Sequence, residues 1–382
     1  MRVLCFGRFC DEQPGGIQSH VLSLLESLRA EVDFLNLVPS RNFQRQRFTR
    51  AGTPVVRTAG WDVDGSLVLS PGLALEAWRQ HRARPFDLVH LHFPDPMSHL
   101  ASLVIPARVP RVITWHAEIV RQQYLLKLYR PWQNRGLRRA GAIIVAAPEN
   151  RRASPDLLLP GIPDKVRVIP FGFDLTRFAQ PDAETLAGAA RLRAAHPGKK
   201  LVFALGRHVS YKGFDVLIQA LAGLGPDVRL LLGGEGPLRP TLERQATRLG
   251  LQDRVCFLGR IPEARLAAHY QACDVFCLPS VTKAEAFGIV QLEAMAAGRP
   301  VVSTRLGNGV DFVNQEGKTG LTVPPGNVAA LTAALAALLA REDWRKELGR
   351  AAQRRALSEF QRERMAASTL ALYRAVLQAQ KP

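Results

Sequence analysis

Two carboxylates, Glu285 and Glu293, bracket the segment Glu285-Ala286-Phe287-Gly288-Ile289-Val290-Gln291-Leu292-Glu293. The first is expected in a loop before a helix, the second on that helix. If every intervening residue were helical, they would stand roughly 12 Å apart. A glycosidase acid–nucleophile pair needs about 5 Å, so that chemistry is excluded. The span suits two separated hydroxyl clusters on one long ligand, such as the ribose and the sugar of a sugar nucleotide. The helix start at Phe287-Gly288-Ile289 can donate N–H groups to phosphates lying between them. Two ordinary surface carboxylates are the simpler alternative, and the apolar neighbours weigh against it.

Arg207 and Lys212 fall in Gly206-Arg207-His208-Val209-Ser210-Tyr211-Lys212-Gly213, between an apolar run and a helical pattern. Two cations so placed can grip a pyrophosphate; a solvated basic loop is the alternative. Gly15-Gly16 holds the equivalent place after the first apolar run, where glycines let backbone approach a ligand. His116 closes a strand-like run and is either a hydrogen-bonded structural group or a functional one. His90 and His92 share a strand face, but no third ligand is evident, so no metal is expected. Asp62-Val63-Asp64, beside Gly60 and Gly65, reads as a turn.

The elements that position these residues alternate in period. Apolar runs at 3–7, 32–38, 88–92, 111–116, 142–147 and 166–170 read as strands, with helical spacing between most of them. The rhythm breaks between 174 and 200 and restarts with runs at 201–206, 228–233, 255–259, 275–279, 300–304 and 320–323. This βαβ pattern predicts an α/β chain of two doubly wound, Rossmann-like domains, 1–174 and 175–360, facing across a cleft. A last helical stretch, 361–382, follows the completed second domain and is free to pack back on the first. Ligands of such sheets bind beyond the carboxyl ends of the strands, where Gly15-Gly16, His116, Arg207 and the 280–288 segment all fall.

Composition narrows the class. The 382 residues are 47% apolar and 22% charged, which excludes a disordered chain, a fibre and a multi-span membrane protein. The net charge of +18 favours an anionic partner. Cys5, Cys10, Cys256, Cys273 and Cys277 include no CxxC pair, which fits a reducing compartment. No export signal and no run near the ~20 apolar residues of a spanning helix is visible. A cytoplasmic protein is expected, peripheral on the inner face of the membrane if attached to one.

Taken together, Gly15-Gly16, His116, Arg207 with Lys212-Gly213, Gly233-Gly234-Glu235-Gly236-Pro237, Leu278-Pro279-Ser280, the Glu285/Glu293 pair, Gly298-Arg299-Pro300-Val301-Val302 and Gly317-Lys318-Thr319-Gly320-Leu321 resemble glycosyltransferase family 4, whose members are retaining enzymes of the GT-B fold. The likeness covers nearly the whole chain. It implies that Arg207 and Lys212 hold the donor diphosphate, and that Glu293 binds the ribose hydroxyls. Glu285 would touch the transferred sugar, with Gly288 and Ile289 giving N–H groups to that sugar or the phosphates. Gly16 would approach the phosphate, and His116 would sit near the reacting carbon. Gly307-Asn308-Gly309-Val310-Asp311 departs from the family's commoner glycine-rich loop followed by Pro-Glu.

The stretches around 113–122 and 279–326 most resemble bacterial O-antigen mannosyl- or rhamnosyltransferases. They point to a GDP-linked mannose or deoxyhexose as donor and a lipid-linked glycan as acceptor. A UDP-sugar donor is the alternative. No cofactor is implied. The stretches 41–57 and 121–139 carry five and six basic residues, no acid, and the aromatics Phe43, Phe48, Tyr124, Tyr129 and Trp132. They suit an anionic membrane surface. A nucleic-acid binder is supported by charge alone and is not expected. A Rossmann oxidoreductase would show Gly-x-Gly-x-x-Gly after its first strand, and neither domain does.

Overall fold

The computed structural model describes residues 1–7, 15–41, 43–63, 68–116 and 123–380. The chain divides into two compact units, Met1–Phe173 with the residues from Arg362 on, and Asp174–Gln361.

The strands of the first unit are β1 (Arg2–Phe6), β2 (Asp33–Pro39), β3 (Gln46–Arg50), β4 (Thr53–Thr58), β5 (Trp61–Asp62), β6 (Val68–Leu69), β7 (Leu88–Phe93), β8 (Arg111–Trp115), β9 (Ala142–Val145) and β10 (Val166–Val168). Its helices are α1 (Gly16–Leu28), α2 (Gly72–Ala83), α3 (Pro96–Ser102), α4 (Gln123–Arg139) and α5 (Pro148–Ala153). Among the described residues the main sheet runs β10-β9-β8-β7-β1-β2-β4-β3, parallel except for β3. One face of the sheet is covered by α1, whose Val21, Leu24, Leu25 and Leu28 recur at helical spacing and are buried. The last helix of the chain supplies Met365, Leu370, Tyr373 and Val376 to the same core.

The second unit holds β11 (Lys200–Leu205), β12 (Val228–Gly233), β13 (Val255–Gly259), β14 (Val275–Leu278), β15 (Val301–Thr304) and β16 (Gly320–Val323). Its helices are α6 (Thr176–Ala179), α7 (Ala183–Ala194), α8 (Phe214–Ala222), α9 (Arg239–Arg248), α10 (Glu263–Ala272), α11 (Ile289–Ala296), α12 (Gly309–Val313), α13 (Val328–Ala340) and α14 (Glu342–Glu359). The closing helix, α15 (Arg362–Gln378), belongs to the first unit. The second sheet is wholly parallel, in the order β13-β12-β11-β14-β15-β16. Its strands are near-continuous apolar runs because helices bury both faces. The apolar stretch inside α13 is core, with Leu331, Leu335, Leu338 and Leu339 buried against the sheet. Among the described residues no helix is long and apolar enough to cross a membrane.

Each expected strand is present, with ends that differ by at most two residues. The 41–57 stretch is corrected. It holds β3 and the start of β4, joined through Ala51 (φ +50°) and Gly52 (φ +75°). Its cations are not free of acids: Arg45 and Arg47 both reach the buried Glu76 at 2.8 Å, and Arg41 pairs with Asp62 at 3.3 Å. Phe48 packs against Val38 and Val55 rather than facing outward, whereas Phe43 is exposed. In 121–139, Arg130 pairs with the buried Asp156, and the half-buried Tyr129 hydrogen-bonds His99. Arg121, the Tyr124 side chain and Asp64 lie outside the described residues.

Candidate active site

In the second sheet the strand order reverses between β11 and β14, a topological switch point. The segments that follow these two strands carry most of the predicted residues. They meet closely: Gly213 sits at φ +65°, and a Cβ there would lie 2.1 Å from the Pro279 carbonyl oxygen. Only glycine satisfies both demands.

Lys212 runs over Gly206, whose missing Cβ would lie 3.1 Å from Lys212 Cε. Its Nζ donates to Glu285 Oε2 at 2.5 Å, and Ser280 Oγ donates to the same oxygen at 3.0 Å. Asn308 Nδ2 donates to the Glu285 carbonyl at 2.7 Å, while Asn308 Oδ1 accepts from the Val310 amide at the start of α12. Burial works most strongly against the Lys212 charge, but the Glu285 carboxylate and Tyr211 together outweigh it and raise the ammonium pKa overall. A fixed, charged lysine results.

Gly288 caps α11 in the left-handed region (φ +68°, ψ +62°), so the chain turns sharply into the helix, and among the described residues no side-chain hydrogen bond caps its start. One turn on, Glu293 Oε2 accepts from Tyr270 Oη at 2.7 Å. Burial is the main cause that pushes the Glu293 carboxyl up to about 7, with the Tyr270 hydrogen bond and the Arg177 charge opposing it. Helix α11 starts only at Ile289, so the rise of eight helical residues does not apply between Glu285 and Glu293. Phe287 is buried with its ring edge-on to Phe360, which leaves its backbone as the part able to meet a ligand. Ile289 is half-buried, and Arg207 is exposed on the loop after β11.

In the first unit Gly15 precedes α1 in extended backbone and Gly16 opens it; both are exposed, and the Gln18 side chain accepts from the Gly15 amide. His116 follows β8 and is buried. Its Nε2 lies 3.0 Å from His92 Nδ1. His92 Nε2 faces Cys5 Sγ at 3.6 Å, and His90 is held between Thr114 Oγ1 and Tyr373 Oη at 2.8 and 2.6 Å. His20 packs with its ring tilted against Phe171 and completes the group, and neither of its ring nitrogens has a hydrogen-bond partner among the described residues. Burial lowers His20 and His90 to about 3 and His92 well below its ordinary value, while Cys5 is pushed up. His20, His92 and His116 bring ring nitrogens within 4.8 Å of one another. The His90/His92 pair gains no third ligand among the described residues; it is His92 alone that joins His20 and His116, a grouping the sequence did not suggest. His20 was hidden because it interrupts the apolar stripe of α1 as a polar residue. Ser280 and Asn308 lie in segments the sequence had marked, though not as partners of Glu285; Tyr270 reaches Glu293 from α10, and its type alone carried no signal.

Residues 14–177 match the glycosyltransferase family 4 model, and residues 191–355 match that of the glycosyl transferases group 1. The D-rhamnosyltransferase WbpZ of Pseudomonas aeruginosa is 33% identical over 93% of this chain and 91% of its own. The chain belongs to glycosyltransferase family 4. The O-antigen chain mannosyltransferase C of Escherichia coli is 30% identical over 77% of this chain and 76% of its own. Among solved structures, Anabaena HepE in complex with UDP has a TM-score of 0.78 at 23% identity, over 97% of this chain and all of that one. The fold is GT-B, with two Rossmann-like units, and the protein is a glycosyltransferase of the family 4 type.

Proposed function

We propose that this family 4 enzyme moves a hexose from a nucleotide sugar to a lipid-linked glycan of the cell surface, with retention of anomeric configuration. The observation that carries the reading is the buried Lys212–Glu285 pair at the β11/β14 switch point. Arg207 and Lys212 hold the donor diphosphate, and the amides at the start of α11 (Gly288, Ile289) assist. Glu293 takes the ribose hydroxyls. Glu285 keeps Lys212 charged and accepts from a hydroxyl of the transferred sugar. Gly15 and Gly16 admit a phosphate to the start of α1, and His116 stands beside the reacting carbon.

In this mechanism the bond from the anomeric carbon to the diphosphate oxygen breaks as an acceptor hydroxyl attacks from the same face. The hydroxyl proton passes to the departing phosphate oxygen. Fixed cations and helix amides stabilise the growing negative charge, so the diphosphate needs no divalent metal. The donor is read as GDP-mannose or a GDP-deoxyhexose, supported by the names of the mannosyl- and rhamnosyltransferase relatives. A UDP-sugar is the second reading, favoured by the UDP bound in the solved neighbour.

The acceptor places the enzyme at a membrane. On α4, Leu128, Trp132, Arg135 and Arg139 share one exposed helical face, with Leu128 76% and Trp132 53% accessible. The test is turnover over a panel of GDP- and UDP-sugars with a lipid-linked acceptor, and nuclear magnetic resonance of the product anomer. A product of inverted configuration, or no turnover with any sugar nucleotide, overturns the reading.

A further inference from the structure

We propose that His20, His92 and His116 form a binding site for a zinc-class divalent transition metal ion. His92 lies on β7 and His116 just beyond β8, which pair in register, His92 opposite Thr114 and Phe93 opposite Trp115. His20 descends from α1 onto the same sheet end. All three are buried, with 1–3% of their surface accessible.

Three imidazoles radiating tetrahedrally from an ion at 2.0–2.1 Å would set their ring centroids about 5 Å apart. The observed separations are 5.7 Å for His20–His92, 5.1 Å for His20–His116 and 5.3 Å for His92–His116. The same geometry sets nitrogens about 3.3 Å apart. His92 Nδ1 and His116 Nε2 stand at 3.0 Å, sharing a proton that an ion would replace. The third nitrogen lies within 4.8 Å of the others, so a shift of at most about 1.5 Å of the His20 ring closes the set.

His20 is the second, independent observation. It is 97% buried, yet neither ring nitrogen has a partner among the described residues. A buried polar group in that state carries a desolvation penalty that a ligand would remove. An outer contact is also present: Cys5 Sγ lies against the far nitrogen of His92, as a group that orients a metal-bound imidazole does. Neutral imidazole nitrogens without a carboxylate select zinc, cobalt, nickel or copper over magnesium and calcium.

None of the three histidines is read as holding the diphosphate, but His116 is shared with the transfer chemistry proposed above. Because His116 is read there as the group beside the reacting carbon, an ion bound here blocks transfer rather than assisting it. That consequence rests on the proposed reading; binding itself does not.

The experiment uses the full chain. Zinc is titrated in competition with a chromophoric chelator, and cobalt is followed by its visible absorption. The expected result is one ion per chain and the intense cobalt spectrum of a four-coordinate nitrogen site. His20→Leu, which removes no hydrogen bond, should weaken binding at least about 100-fold, and Cys5→Ala about 10-fold. Thermal melts of each variant confirm folding, and His196→Ala, outside the cluster, should bind as the native chain does. Equal zinc affinity in His20→Leu and the native protein, or a weak six-coordinate cobalt spectrum, overturns the site. Zinc bound with the expected stoichiometry and spectrum but without inhibition upholds the site and overturns the role read for His116.

Discussion

Removing Lys212 separates what the lysine does for folding from what it does for transfer. The Lys212 and Glu285 side chains are 10% and 12% exposed and 2.5 Å apart. Deleting one partner of such a pair leaves a buried charge uncompensated, which costs about 3–5 kcal/mol. Ser280 still donates to Glu285, so the low end, about 3 kcal/mol, is expected for Lys212→Met. For a domain of this size that corresponds to a fall in melting temperature of about 6–12 °C. The double variant Lys212→Met/Glu285→Leu replaces both charges with apolar groups and should recover most of that loss.

Transfer should respond differently. If Lys212 meets charge that grows on the leaving diphosphate, its loss lowers kcat by about 100- to 1000-fold. The double variant should be no better, because stability returns and the cation does not. The assay is a melt of each variant beside steady-state turnover of the nucleotide sugar. Recovery of turnover in step with stability would falsify the catalytic role. A raised KM with unchanged kcat would mean that the lysine binds ground and transition states alike.

Glu293 holds its proton more tightly in the fold, up to about 7, than an unfolded glutamate does. Its contribution to stability therefore falls by about 3 kcal/mol as pH rises from about 4.3 to 7, and Glu293→Gln should flatten that part of a melting-temperature profile; parallel profiles would refute the assignment. Turnover should persist in chelator, and complete loss that magnesium restores would refute the metal-free diphosphate site. Anionic vesicles should retain the protein at low salt and release it at high salt. Arg135→Gln/Arg139→Gln should cost about 1 kcal/mol per charge, or about 30-fold in partitioning; equal binding to neutral vesicles would remove the electrostatic claim.

The fold was legible because parallel strands covered on both faces appear as short apolar runs, as in Leu201 to Leu205 and Val228 to Leu232. Glycines and cations mark where those runs stop. The β3–β4 hairpin was not legible. Gln46–Arg50 is half-exposed and carries two arginines, so its charge masked its pairing. The acid that answers Arg45 and Arg47 lies on α2, some 30 positions away, and a charge run cannot show its distant partner. The histidine group was hidden for a related reason: it needs α1, β7 and β8 at one sheet end before His20 has neighbours at all.

The Lys212–Glu285 pair marks the same limit from the other side. Both residues were marked by type and position, but 73 positions separate them. Only the switch of strand order, which sets β14 beside β11, turns a cation and a carboxylate into one unit. The consequence is electrostatic. The net charge of +18 points to anionic partners in general, yet at this site the lysine charge is already balanced by Glu285. A diphosphate met here is not attracted by excess cationic charge from that pair. On the proposed reading it would meet a lysine already desolvated and held by Glu285, which strengthens an interaction with charge developing in place more than one with a distant ion. Arg135 and Arg139 are exposed on α4, where a field reaches outward only over a screening length. One chain thus carries two kinds of electrostatics, short-ranged and preorganised at the sheet ends, long-ranged and salt-sensitive on α4.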